Sequence, residues 1–117
     1  MVSEFKLRSE VKDHCVVIHT SGYVNNIGGQ KIIDEFDKYH NDGIKNYIIN
    51  LPDSKMVNSI GISFLIEVIE KLDVSNGKLV FANLDPTVDK TFTIMGLFNY
   101  AEKAENIDEG RRLINSL

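Results

Sequence analysis

Cysteine is nearly absent from the sequence and long apolar runs are missing altogether, and each shortage excludes a class of protein. Cys15 is the one cysteine, so the chain forms no internal disulfide, which is consistent with a reducing compartment. No apolar run approaches the ~20 residues needed to span a membrane. The start, MVSEFKLRSE, lacks the apolar segment of a signal peptide. These absences predict a cytoplasmic protein whose 117 residues form one domain, 1–117, with no membrane partner.

Basic charge is also scarce. Lysine and arginine number 13 against 17 aspartates and glutamates, which gives a formal net charge of −4. Arg111-Arg112 is the only adjacent basic pair, so no basic stripe is available to contact a phosphate backbone. Direct binding of nucleic acid is therefore not expected. The hydrophobic content of 43% and charged content of 26% indicate a soluble globular chain.

The signatures of catalysis and of cofactor binding are missing too. The sequence contains neither of the glycine-rich motifs that bind nucleotides, G-x-x-x-x-G-K-[ST] and G-x-G-x-x-G. It also lacks the G-x-S-x-G motif of serine hydrolases. His14, His19 and His40 have no cysteine or carboxylate neighbours at the spacing of metal ligands, and they read as ordinary residues. Gly28-Gly29 at a helix start suits either a weak phosphate cradle or a structural turn. We therefore predict no enzyme activity, no metal and no cofactor.

The most informative stretch lies in the middle of the chain. A short apolar run, residues 47–51, is typical of a buried strand, which Pro52 should end because proline cannot donate to a sheet ladder. Asn58-Ser59 then precedes an apolar pattern at helical spacing: Ile62, Leu65, Ile66, Ile69 and Leu72. The stretch therefore predicts a strand, a loop and a helix with a hydroxyl at its start.

The remaining patterns place strands and helices in alternation along the chain. Strands are predicted near residues 5–11, 14–20, 78–82 and 98–100. Helices are predicted from Asn25 or Asn26 to Tyr39, from Asp85-Pro86 to Gly96, and from Asp108 to Ile114. The order β-β-α-β-α-β-α-β-α predicts an α/β fold with a mixed, mostly parallel sheet and about four helices. Cys15, inside an apolar run, is expected to be an inert core residue.

Two interpretations of Ser59 follow from the residues alone. Asn58-Ser59 can simply cap the helix, a contribution of about 1 kcal/mol. Alternatively, the free N–H groups and positive dipole of the helix start would receive an anion, including a phosphoryl group on Ser59.

Three stretches resemble the STAS domain, the family of bacterial anti-sigma factor antagonists and of the C-terminal domains of sulphate transporters. Gly22-Tyr23-Val24-Asn25 is similar to the family's Gly-Glu-Leu/Ile-Asp. The segment from Met56 to Ile62 is similar to an apolar pair followed by Asp-Ser-[Ser/Thr/Ala]-Gly-Leu/Ile. Lys78 to Leu84, with Gly96-Leu97-Phe98 beyond it, is similar to a later strand and turn of the family. The resemblance runs nearly the full length of the chain.

This resemblance implies partner switching. In the family, an anti-sigma factor that is also a serine kinase phosphorylates the serine at the start of the central helix, and a PP2C-type phosphatase resets the cycle. Ser59 occupies that position here. The implied partner-binding residues surround it in the motifs: Gly22, Tyr23, Asn25, Met56, Asn58, Ile60, Gly61 and Ile62. Asn25 and Asn58 stand where the family has aspartate.

Two alternatives to a phosphorylated antagonist stay open at this point. The two asparagines also fit an interaction or scaffold module of the same fold that is not phosphorylated. The dipole argument alone would allow a small enzyme or ligand-binding domain that holds an anion at the helix start.

Overall fold

A computed structural model describes residues 4–116 of the chain. Its elements are β1 (Lys6–Lys12), β2 (Cys15–Ser21), α1 (Asn26–Asn41), β3 (Asn46–Asp53), α2 (Ser59–Val74), β4 (Lys78–Ala82), α3 (Pro86–Ile94), a 3₁₀ turn (Leu97–Asn99), β5 (Glu102–Ala104) and α4 (Ile107–Ser116). The predicted order of strands and helices is confirmed. Within residues 4–116, no helix has both the length and the apolar content to cross a membrane.

The five strands form one mixed sheet in the order β1-β2-β3-β4-β5. β1 runs antiparallel to β2, and the other neighbouring pairs are parallel. Each parallel crossover moves one strand in the same direction, so right-handed connections place α1, α2 and α3 on one face. α4 covers the other face. Since α1 follows β2 and α2 follows β3, and these strands are parallel, both helices begin next to the carboxyl ends of the strands.

Alternate residues of the strands supply the two sides of the core. The larger core joins the sheet to α1, α2 and α3 and includes Val16, Ile18, Ile32, Phe36, Tyr47, Ile49, Leu65, Phe81 and Phe92. The smaller core lies under α4 and includes Cys15, Val17, Ile48, Val80 and Ile114. Cys15 is buried, as predicted, and burial raises the pKa of its thiol. That shift disfavours the thiolate, the reactive form of the side chain.

The prediction that Pro52 ends its strand is wrong, because β3 continues to Asp53. The pairing of β3 with β4 ends at Asn50–Ala82, whereas its pairing with β2 continues to Ser21–Asp53 after a register shift. Among residues 4–116, no strand lies on the β4 side of β3 beyond Asn50, so the N–H that proline lacks is not needed for the sheet there.

Two predictions near the C-terminus are also wrong. Residues 98–100 are not a strand: Gly96 ends α3 with a φ of 80°, and a 3₁₀ turn follows, while the last strand is β5. Asp108 does not cap the last helix, because the side-chain oxygen of Asn106 accepts from the Glu109 N–H at 2.8 Å. Asp108 lies in the first turn of α4, where its charge still suits the helix dipole.

Candidate functional site

The candidate site is built from the two loops that lead into α1 and α2. A parallel β-bridge joins Val24 to Val57. Val24 N–H donates to the carbonyl of Met56 at 3.0 Å, and Asn58 N–H donates to the carbonyl of Val24 at 3.1 Å. These bonds hold the amino ends of the two helices side by side.

An asparagine caps each of these helices. The Asn25 side-chain oxygen accepts from Ile27 N–H at 3.0 Å and from Gly28 N–H at 3.1 Å. The Asn58 side-chain oxygen accepts from Gly61 N–H at 2.8 Å. Neither helix has an acidic residue in its first turn. Two positive helix ends therefore meet here with a neutral cap on each, and the local potential favours an anion.

Ser59 is the first residue of α2, and it is exposed. The amide side chain of Asn58, rather than the Ser59 hydroxyl, makes the cap bond. Since the fold does not use that oxygen as the cap, a group added to it meets solvent and the first turn of α2. The arrangement combines an accessible nucleophilic oxygen with a helix end that accepts negative charge.

Three large apolar side chains are exposed on the two helix starts and on the loop that leads into α2. Ile27, Met56 and Ile60 are 57%, 60% and 50% exposed, respectively. Their positions place them on the first turns of the two helices and on the loop between β3 and α2. Clustered exposed apolar side chains are typical of a protein–protein contact. Sequence analysis did not single out Ile27, although its helical phase differs from that of the buried residues Ile32 and Phe36.

The structure separates the predicted site residues by depth. Met56, Ser59 and Ile60 are exposed, while Gly22, Tyr23, Asn25 and Asn58 are half-buried. Gly61 and Ile62 are buried, so both support the surface from below and neither presents a side chain to a partner. The candidate contact surface therefore consists of the exposed and half-buried residues, with Ile27 added.

Gly28-Gly29 serves the packing of α1. The amide of Gly28 donates to the Asn25 side chain, and that of Gly29 donates to the Asn25 carbonyl at 2.8 Å. A Cβ on Gly28 would lie 2.7 Å from the Tyr23 carbonyl oxygen, and one on Gly29 would lie 2.5 Å from the Phe64 ring. Close approach therefore accounts for both glycines, and the structural interpretation fits better than a phosphate cradle.

The histidine on β2 belongs to a polar network at the carboxyl ends of the strands. His19 bonds Glu10 at 3.1 Å and Asn50 at 3.0 Å, and Asn83 donates to Asn50 at 2.8 Å. The His19 hydrogen bond is the main cause that lowers the pKa of the Glu10 carboxyl. In the part of the chain that the structure describes, no three His, Cys, Asp or Glu side chains are grouped as a metal site requires.

Replacing Asn58 with alanine is expected to lower the free energy of unfolding by about 1 kcal/mol, because the Gly61 N–H loses its acceptor. Aspartate at position 58 keeps the cap and should leave stability unchanged or raise it slightly. Urea unfolding of the purified variants measures both effects. Asn26→Ala is the matched control, since Asn26 is exposed and follows the true cap of α1. An equal loss in both alanine variants would contradict the assignment of Asn58 as the cap.

The model of the STAS domain family matches residues 6–110 of the sequence. Among curated proteins, no sequence matches this chain. An anti-sigma factor antagonist from Mycobacterium paratuberculosis has a similar structure, with a TM-score of 0.84 and 17% identity, over 96% of this chain and 95% of that chain. A variant of RsbS from Moorella thermoacetica has a TM-score of 0.76 and 18% identity, over 95% of this chain and 96% of that chain. The phosphorylated form of the Bacillus cell fate determinant SpoIIAA has a TM-score of 0.72 and 22% identity, over 94% of this chain and 99% of that chain.

Proposed function

Because the chain belongs to the STAS domain family, as its motifs predicted, we propose that it acts as an anti-sigma factor antagonist. It binds an anti-sigma factor that is also a serine kinase, and phosphorylation of Ser59 releases that partner. A PP2C-type phosphatase removes the phosphoryl group and restores binding. The observation that carries the proposal is the exposed Ser59 at the start of α2, surrounded by exposed apolar side chains.

The phosphoryl transfer requires only an accessible hydroxyl group from this chain. The γ-phosphoryl group passes from ATP to the Ser59 oxygen, the hydroxyl proton leaves, and ADP is released. The modification adds about −1.5 to −2 charges at neutral pH. At a helix start that charge is tolerated by the fold. In the middle of an apolar contact formed by Ile27, Met56 and Ile60, the same charge would lose its water without gaining a counterion.

The experiment that tests the proposal is phosphate transfer from labelled ATP by the cognate kinase. Wild-type protein should be labelled and Ser59→Ala should not. Ser63→Ala is the matched control, because Ser63 is also exposed and lies one turn further along α2. It should be labelled like the wild type. Labelling that survives Ser59→Ala would place the modification elsewhere and contradict the proposed switch.

A second candidate is an interaction or scaffold module of the same fold that is not phosphorylated. Asn25 and Asn58 favour it, because both cap positions lack the carboxylate that the family motif has beside its serine. Under this alternative the kinase does not label the wild type, and the partner binds Ser59→Glu as tightly as wild type. The labelling assay and a binding titration together distinguish the two candidates.

A further inference from the structure

A second group of exposed apolar side chains lies away from Ser59, and the proposed switch does not use it. Val74, Ile94, Met95 and Tyr100 are exposed, with Ile94 and Tyr100 at 72% and 73%. Val74 ends α2, and the other three lie at or after the end of α3. Large apolar side chains that cluster on a surface point to a contact with another molecule.

Two of these residues, Met95 and Tyr100, border a groove of about 360 Å³ between α2 and the end of α3. Its lining includes Ile66, Ile69, Glu70 and Asp73 on α2, with Met95 and Tyr100 on the opposite wall. The opposite wall is set by the chain reversal at Gly96, whose φ is 80°, and by a hydrogen bond from Tyr100 N–H to the Leu97 carbonyl at 3.2 Å. The groove is therefore fixed by backbone geometry.

The groove has an apolar floor and an acidic rim. Glu70 and Asp73 are exposed, and neither carboxylate forms an ion pair within residues 4–116. The nearest lysine on α2, Lys71, binds Asp37 at 2.8 Å and Glu67 at 3.5 Å, and Asp37 belongs to α1. The carboxyl end of the α2 dipole adds to the negative potential. An occupant with positive charge beside an apolar surface complements this groove.

We propose that this groove docks a short amphipathic helix of a partner protein, with apolar side chains in the floor and lysine or arginine toward Glu70 and Asp73. A helix fits because the groove is lined by side chains and presents no free sheet edge. Another copy of this chain does not supply such a segment within residues 4–116. The helix that carries Arg111 and Arg112 packs its apolar residues Leu113 and Ile114 against the sheet.

The groove is independent of the switch at Ser59. Glu70 lies eleven residues beyond Ser59, which is about 16 Å along the helix axis. A charge on Ser59 is therefore farther from Glu70 than the Debye length, which is about 8 Å at physiological salt, so the solvent ions largely screen it there. One protein could therefore hold a switched partner at the amino end of α2 and an unswitched one near its carboxyl end.

The test is selection from a displayed library of randomised 16-residue helical peptides on the full-length protein, with counter-selection on Tyr100→Ser. Tyr100 is exposed, so this variant should keep the wild-type melting temperature. Enriched peptides should carry apolar residues at i, i+3, i+4 and i+7, flanked by lysine or arginine. Enrichment of acidic peptides, or of none that depend on Tyr100, would overturn the proposal.

The affinity of one enriched peptide, measured by fluorescence anisotropy, completes the test. Glu70→Lys should weaken binding tenfold or more, and added salt should weaken it further. Glu4→Lys is the matched charge control, because Glu4 is exposed and precedes β1 at the opposite edge of the sheet. Glu4→Lys and Ser59→Glu should both bind within twofold of wild type.

Equal weakening by both lysine variants would show a nonspecific charge effect. Concentration-dependent dimerisation that Tyr100→Ser abolishes would assign the groove to a second copy. Either result overturns the proposal.

Discussion

Alanine at position 61 is expected to lower the free energy of unfolding by about 3 kcal/mol, the upper part of the usual range for overpacking. A Cβ on Gly61 would lie 2.1 Å from the carbonyl oxygen of Val24 and 2.8 Å from its carbonyl carbon. Both neighbours are backbone atoms, so no side-chain rotation relieves the clash. Val24 is held by hydrogen bonds to the loop residues Met56 and Asn58. Any relief must therefore separate the two loops that form the candidate site.

Helix propensity opposes this loss and makes the sign of the result informative. Alanine is a better helix former than glycine by about 1 kcal/mol. A net destabilisation of Gly61→Ala therefore means that the clash costs more than the propensity gain of about 1 kcal/mol. If α2 did not approach Val24 so closely, the same substitution would stabilise the protein.

Urea unfolding followed by circular dichroism measures the change in unfolding free energy. Gly110→Ala is the matched control, since Gly110 is also buried in a helix and carries the same propensity gain. Its added Cβ would lie 3.2 Å from a side-chain methyl of Ile48, which can move. The control should change stability by no more than about 1 kcal/mol. A Gly61→Ala protein as stable as wild type would contradict the close packing of α2 on Val24.

The sequence predicted the fold where local patterns are strong and failed where they are short. Apolar runs in β2, β3 and β4 and the Asp85-Pro86 helix start were sufficient, because burial and capping act over a few neighbouring residues. β5 consists of Glu-Lys-Ala, which has no strand pattern of its own. It becomes a strand only because β4 offers an unpaired edge beside it. Local reasoning therefore placed the strand too early, at residues 98–100.

The same limit applies to the candidate site. The position of Ser59 at a helix start follows from local pattern, and the structure places it there. The contact between the loop before α1 and the loop before α2 does not, because the bridge joins Val24 to a residue 33 positions away, Val57. That contact joins the two loops that lead into α1 and α2, and it places Gly61 against Val24. Sequence motifs grouped Gly61 with the partner-binding residues because adjacent residues on a helix share a motif but face different sides.

A negative charge at position 59 is expected to weaken binding of the anti-sigma factor about thirtyfold or more, with little change in stability. Leaving a charge buried and unpaired in an interface costs about 2–5 kcal/mol, and each 1.4 kcal/mol corresponds to a factor of ten. At the start of α2 the same charge interacts favourably with the helix dipole, by about 0.3–1 kcal/mol. Ser59→Glu should therefore lose its partner and keep its melting temperature.

The neutral variant Ser59→Gln separates the charge from the bulk of the new side chain, since glutamine and glutamate have nearly the same shape. Calorimetric titration with the partner should give a dissociation constant for Ser59→Gln within about tenfold of wild type. Ser63→Glu, one exposed turn further along α2, tests whether any added charge on this helix has the same effect. It should weaken binding far less, because Ser63 lies beyond the first turn of α2.

Equal weakening by glutamine and glutamate at position 59 would show that size, not charge, excludes the partner. Unchanged binding of Ser59→Glu would show that the partner contacts another surface. A large fall in melting temperature would show instead that Ser59 supports the fold of α2 itself.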